Sequence, residues 1–175
     1  MSKIAIIYST TDGQTKKIAN VLKSNMDLDN SVEMMPLAEV HNLQLQDCEK
    51  IVVGASIRYG RHNPQVLRFI QKHRKILDEK LTFFFSVNVV ARKIEKSSAS
   101  TNPYLQKFLE QARWTPTYVE VFAGKVDYPN YGFFARNTIR LIMILTKGPT
   151  DTSKSYEFTN WEKVEQFSNV ISATK

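Results

Sequence analysis

The sequence predicts an α/β fold, a parallel sheet with helices on both faces. Three observations carry this. Short, continuously apolar runs such as Ile4-Ala5-Ile6-Ile7-Tyr8 read as strands buried on both sides. Other stretches repeat their apolar residues at helical spacing. The two kinds alternate along the chain, which calls for right-handed crossovers and a parallel sheet. Five such strands are expected within one domain of 175 residues.

The elements follow in order. The run from Ile4 to Tyr8 is the first strand, and it ends in a hydroxyl-rich loop, Ser9 to Thr15. Ile18, Val21, Leu22 and Met26 then mark one face of a helix. Ser31 to Leu37 is a weaker strand, and Lys50 to Ala55 a clear buried one. Val66, Phe69, Ile70, His73 and Leu77 mark a second helix. Leu81 to Val90 reads as a strand running into a loop. Leu105, Phe108, Leu109 and Ala112 mark a third helix, entered after Pro103. Thr117 to Ala123 is the fifth strand. Thr159-Asn160-Trp161-Glu162 fits a capping box opening a last helix, with Trp161, Val164, Phe167 and Ile171 inward.

Three loops follow strand ends, where open α/β sheets bind ligands. The first is Ser9 to Thr15. Its hydroxyls, with Gly13 and a helix N-terminus, make an anion site without a lysine. It is neither a Walker A motif nor a dinucleotide fingerprint. An ordinary Ser/Thr/Gly turn is the plain alternative. The second is Gly54 to Gly60, which offers Tyr59. The third is Phe85 to Arg92, which offers backbone and amide groups. Together they suit a phosphorylated, planar heterocycle such as FMN.

Tyr8 to Thr15 resembles the flavodoxin phosphate loop. The resemblance implies that Thr10, Thr11, Gly13, Gln14 and Thr15 hold the FMN phosphate. Asp12 departs from the usual threonine and is expected to point outward or cap the helix, with Ser9 as a substitute donor. Tyr59 resembles the aromatic of the first flavin loop, and Ser56, Ile57, Arg58 and Gly60 flank it. Ser86, Val87 and Asn88 are the expected contacts from the third loop.

Along its whole length the chain is similar to the bacterial quinone-dependent protoporphyrinogen IX oxidases (dehydrogenases) of haem biosynthesis. Ala55-Ser56-Ile57-Arg58-Tyr59-Gly60 and Val90-Ala91-Arg92-Lys93 are the specific motifs; Ala123-Gly124, Leu141-Ile142-Met143 and Thr150-Asp151-Thr152 add to them. The resemblance implies the strand order 2-1-3-4-5, with FMN at the switch point. It also implies a six-electron oxidation of protoporphyrinogen IX to protoporphyrin IX, in three two-electron steps through the flavin to a respiratory quinone, menaquinone or ubiquinone. The cofactor carries the redox chemistry. No Ser/His/Asp triad or carboxylate pair is evident, so no general base is assigned. Arg58, Arg61, His62, Arg92 and Lys93 are candidates to meet the substrate's propionates.

Lys125 to Phe158 is long for a loop between the last strand and the last helix. A helix from Phe133 to Lys147 puts Phe134, Thr138, Leu141, Ile142 and Leu145 along one side, with Arg136, Arg140 and Lys147 at the polar boundary. Such a basic, aromatic helix suits a membrane surface through about 128–147, or packing on the protein's own core. The resemblance implies that the insertion serves the oxidase activity.

Composition narrows the classes further. One cysteine rules out an intrachain disulfide, and with three scattered histidines no metal site is expected. No signal peptide is read, and no apolar stretch is long enough to span a bilayer. The expected location is cytoplasmic, peripheral to the inner face of the cell membrane. The net charge of +7 favours an anionic partner. It argues against an electron-shuttling flavodoxin, which is typically acidic. An NAD(P)H:quinone reductase shares the loop types but places its insertions elsewhere. Nucleic-acid binding rests on charge alone and is not expected.

Overall fold

Side chains alternate between two apolar layers along each central strand, and this sets the architecture. A computed structural model describes residues 1–42 and 45–175. The strands are β1 (Lys3–Ser9), β2 (Ser31–Pro36), β3 (Lys50–Arg58), β4 (Arg61–His62), β5 (Leu81–Asn88) and β6 (Tyr118–Ala123). The parallel order is β2-β1-β3-β5-β6, with β4 antiparallel to the end of β3. This is the expected 2-1-3-4-5 order of five parallel strands, with one short strand added.

The helices are α1 (Gln14–Met26), α2 (Pro64–Lys72), α3 (Arg74–Glu79), α4 (Pro103–Ala112), α5 (Phe133–Leu145) and α6 (Trp161–Ala173). Ile4, Ile6, Phe83 and Phe85 point to one face, where Ile18 and Leu22 of α1 and Val164, Phe167 and Ile171 of α6 cover them. Ala5, Ile7, Ile51, Val53 and Phe84 point to the other, covered by Val66 and Ile70 of α2, Leu77 of α3, and Leu105 and Phe108 of α4. Burial of each large side chain contributes about 1.5–3 kcal/mol.

Three local features differ from expectation. The helix through Val66 and Leu77 is broken at His73, which ends α2 and starts α3. Ile70 and Leu77 stay buried on either side of the break. Gly54 to Arg58 is strand, not loop: β3 runs on and turns back into β4. The cap of α6 is Asn160, whose side chain accepts from the Lys163 amide at 3.1 Å. Thr159 instead donates to the Ala123 carbonyl at 2.7 Å and accepts from Gln14 Nε2 at 2.8 Å.

The insertion has its own structure. β7 (Lys125–Asp127) pairs antiparallel with β8 (Ser155–Glu157), and α5 lies between them in the chain. Val126, Tyr128, Tyr131 and Met143 form a third small core.

Candidate functional site

Gly13 starts the site. Its φ of +87° is the left-handed conformation that glycine adopts without strain, and it caps α1. The Gly13 amide donates to Thr10 Oγ1 at 3.0 Å, which folds the loop back on itself. No side chain caps α1 and no acid sits in its first turn, so its leading amides face the cleft with the positive end of the helix dipole. Thr15 Oγ1 is fully buried there and has no hydrogen-bond partner among the described residues. A buried hydroxyl of this kind normally has one. The loop therefore fits an anionic group that accepts from Thr15.

Asp12 neither points away nor caps the helix. Its Oδ1 accepts from Arg58 Nη1 at 3.0 Å, so the loop's one acid is neutralised by an arginine from the neighbouring strand end. Thr11 Oγ1 lies 3.5 Å from Ser56 Oγ and ties the same two segments. Tyr59 and Gly60 are the two central residues of the β3–β4 hairpin, with φ of +50° and +79°. Both left-handed residues match the tight two-residue turn whose twist suits a hairpin. A tyrosine in this conformation is uncommon. It leaves the ring 57% exposed at the cleft, with the Arg58 guanidinium carbon 5.2 Å from the ring centroid.

The third loop is held from behind. Asn88, at the end of β5, accepts from the Ala91 amide at 3.0 Å and from Asn102 Nδ2 at 3.2 Å. Asn102 in turn caps α4 by accepting from the Leu105 amide. Ser86 Oγ lies 2.9 Å from His62 Nε2. This buried polar network fixes the backbone from Val87 to Val90.

These three segments and the insertion enclose a cleft of about 460 Å³. Thr10, Thr11, Asp12, Gln14 and Thr15 line one end. Ser56, Ile57, Arg58, Tyr59 and Gly60 line one side, and Val87 and Asn88 the floor. The insertion completes the lining with Lys125, Tyr131, Ile139, Ile142 and Met143. Ser9 and Gly13 lie outside the lining, and Ser86 sits fully buried behind it. The arrangement can hold a phosphate at α1 and a flat ring between Tyr59 and the insertion.

Of the five basic candidates only Arg58 reaches the cleft. His62 is buried against Phe84 and Phe108, and burial pushes its pKa down to about 3. It is a neutral core residue and cannot pair with a carboxylate. Arg92 donates to the carbonyls of Val89 and Thr146, at 3.1 and 2.9 Å, and to Thr146 Oγ1 at 2.8 Å. Its guanidinium is already engaged. Arg61 is exposed and Lys93 half-buried, both outside the lining. Missed as site residues in the sequence were Tyr104, Lys125 and Tyr131, because none belongs to a loop motif whose spacing marks it and only the fold brings them to the cleft.

The helix of the insertion presents the expected side outward, with Phe134, Thr138, Leu141, Ile142 and Leu145 all exposed, and departs from expectation at Arg136. Ala135, Ile139 and Met143 face the protein. Phe133, Phe134, Leu141, Ile144 and Leu145 are exposed, from 55% to 85%. Arg136 is not a boundary cation: it donates to the carbonyls of Tyr128 and Tyr131, both at 3.1 Å. Arg140 and Lys147 are exposed. Among the described residues, no helix is long and apolar enough to cross a membrane.

Comparison with known proteins agrees with this geometry. Residues 5–153 match the family described as Flavodoxin domain. An Escherichia coli K12 protein named protoporphyrinogen IX dehydrogenase (quinone) is 39% identical over 170 residues, covering 97% of this chain and 94% of the relative. A Leishmania major protein of the same name is 39% identical over 173 residues, covering 98% of this chain and 75% of the relative. Among solved structures, an archaeal flavodoxin superposes with a TM-score of 0.54 at 15% identity, covering 97% of this chain and 96% of the other. Flavodoxin 1 from Bacillus cereus gives 0.54 at 15%, covering 96% and 95%; at such identity these two speak for the fold alone. The chain belongs to the flavodoxin-domain family and, within it, to the quinone-dependent protoporphyrinogen IX dehydrogenases.

Proposed function

We propose that this chain, as a single domain, binds FMN in the cleft and oxidises protoporphyrinogen IX to protoporphyrin IX, with a respiratory quinone as acceptor. The observation that carries the cofactor reading is the orphan Thr15 hydroxyl at the uncapped start of α1. The fully buried Thr15 and the amides of the first turn suit the FMN phosphate, and Tyr59 suits the face of the ring. When bound, the flavin supplies the two-electron relay between substrate and quinone.

The chain's own residues bind and orient. Arg58 and Lys125 are the two cations lining the cleft among the described residues, and the substrate carries two propionates. Asp12 holds Arg58 through one of its nitrogens, and the guanidinium lies in the cleft lining, where a carboxylate can meet it. Asp127 accepts from Lys125 at 2.8 Å, from Asn130 and from Ser155, and these bonds hold its pKa near 2. It stays ionised and fixes the lysine in place. Ile139, Ile142 and Met143 exclude water from the ring side of the cleft.

The full oxidation removes six electrons and six protons and turns three quinones into three quinols. With limiting quinone under anaerobic conditions, one porphyrin is expected per three quinones consumed. A yield independent of added quinone would overturn the reading.

The outward face of α5, with Phe133, Phe134, Leu141 and Leu145 exposed beside Arg140 and Lys147, supports contact with an anionic membrane surface on the cytoplasmic side. A lipid-soluble acceptor is reached most directly from there.

A further inference from the structure

Arg92 lies outside the cleft, yet it joins two of the cleft's walls. It ends the turn of 3-10 helix that follows β5, two residues after Val90, which with Val89 lines the cleft. Its guanidinium donates across to Thr146, the residue that ends α5, at both the carbonyl and the hydroxyl. A cation suits the negative end of a helix dipole. The same guanidinium holds Val89 and lies 5.9 Å from the Phe158 ring centroid. Gly148 lets this approach happen, because a Cβ there would come within 2.8 Å of Arg92 Nη2 and 2.6 Å of Met143 Cε.

The rest of the α5 attachment is thin. Met143 is its one fully buried residue, with Ala135 and Ile139 partly buried beside it. Arg136 ties the N-terminal half of the helix to the preceding loop. The C-terminal half, which carries Ile142 and Met143 of the cleft wall, is tied to the β5 loop through Arg92.

We infer that Arg92 is a positioning residue, a latch that sets the distance between the loop after β5 and the insertion, and not a ligand of the substrate's carboxylates. This rests on the cleft being the reaction site, as proposed above. The latch acts on any substrate that needs both walls, charged or not, because a misplaced wall loses the orientation that catalysis requires.

The test uses FMN-loaded protein and four variants: Arg92→Ala, Arg92→Lys, Thr146→Val and Arg92→Ala with Thr146→Val. Substrates are protoporphyrinogen IX and its dimethyl ester, which lacks both carboxylates. Arg92→Ala is expected to lower kcat/KM about tenfold or more, to the same extent for acid and ester. The lysine variant should recover part of this loss, and the double variant should lose less than the two single losses summed, because the Arg92–Thr146 Oγ1 bond is common to both. Amide exchange at residues 139–146 should quicken by about tenfold while α1 is unchanged. Loss for the acid with the ester spared would make Arg92 a carboxylate ligand and overturn the latch. So would unchanged exchange in α5, or losses that simply add. If wild type fails to oxidise either substrate, the functional reading falls. The exchange measurements on the same four variants still decide the latch, and Thr146→Val serves if Arg92→Ala does not fold.

Discussion

At Thr15 a hydroxyl is buried without a hydrogen-bond partner among the described residues, and such a group costs about 1–3 kcal/mol. Thr15→Val is therefore expected to act with opposite signs. The apoprotein should melt at the same temperature or higher, while FMN binding weakens by about 1–3 kcal/mol in titration. Unchanged affinity would place the phosphate elsewhere. His62 gives a second test. Its folded pKa of about 3 lies below the ordinary 6.5, so the unfolded chain binds a proton that the folded chain refuses. The sign follows: this contribution to stability is complete above pH 6.5 and is lost as pH falls towards 3. At pH 5 the loss is about 2 kcal/mol. Denaturant melts of wild type and His62→Gln should converge between pH 7 and 5, and parallel curves would contradict the assignment. Residues 10–15 were legible in the sequence because the loop is contiguous, so its spacing is visible. The roles of His62 and Arg92 were not, because residue type beside a motif says nothing about which way a side chain turns or what already holds it. Lys125 and Tyr131 were invisible for the converse reason: only the fold brings them into the same cleft as Tyr59.

The elements of the sheet were readable because each strand is apolar on both faces and each helix on one. Boundaries were harder where a strand outruns its apolar run. Ser56 to Arg58 look like a loop, yet they continue β3 because β4 supplies a partner. The insertion helix was placed correctly by its spacing, but which side meets the protein depends on Ala135, Ile139 and Met143 finding Val126 and Tyr128. That pairing across the chain has no period to read. Two predictions belong at this scale. Deleting residues 128–147 should leave a yellow protein, since the phosphate loop and both flavin loops lie outside the deletion. Porphyrin formation should vanish, because the deletion removes Tyr131, Ile139, Ile142 and Met143 from the cleft. A colourless product would show that the wall is needed to hold the flavin itself. Separately, Phe133→Ser with Phe134→Ser, and Arg140→Gln with Lys147→Gln, should each reduce co-sedimentation with anionic vesicles. Each cation near the leaflet is worth about 1 kcal/mol, screened as salt rises. Equal sedimentation by wild type and both variants would end the membrane role. Arg136 is left out because backbone carbonyls already hold it.

For the whole molecule, the net charge of +7, the two cations in the cleft and a dianionic substrate point the same way. With FMN saturating, Arg58→Ala is expected to raise the KM for protoporphyrinogen about tenfold, since a charge-assisted carboxylate contact is lost. The dimethyl ester should be indifferent to the change, and an equal effect on acid and ester would remove Arg58 from carboxylate binding. Through this cleft, electrons are expected to pass from a porphyrinogen to a quinone, and this transfer is what sets the chain's activity. It is tested most directly by one anaerobic assay of the FMN-loaded protein, in which quinol formation is followed with protoporphyrinogen IX as donor and, in a parallel cell, with NADPH. Quinol and porphyrin are expected together in the first cell and no quinol above background in the second. Quinol formed from NADPH, with the porphyrinogen left unoxidised, would contradict it.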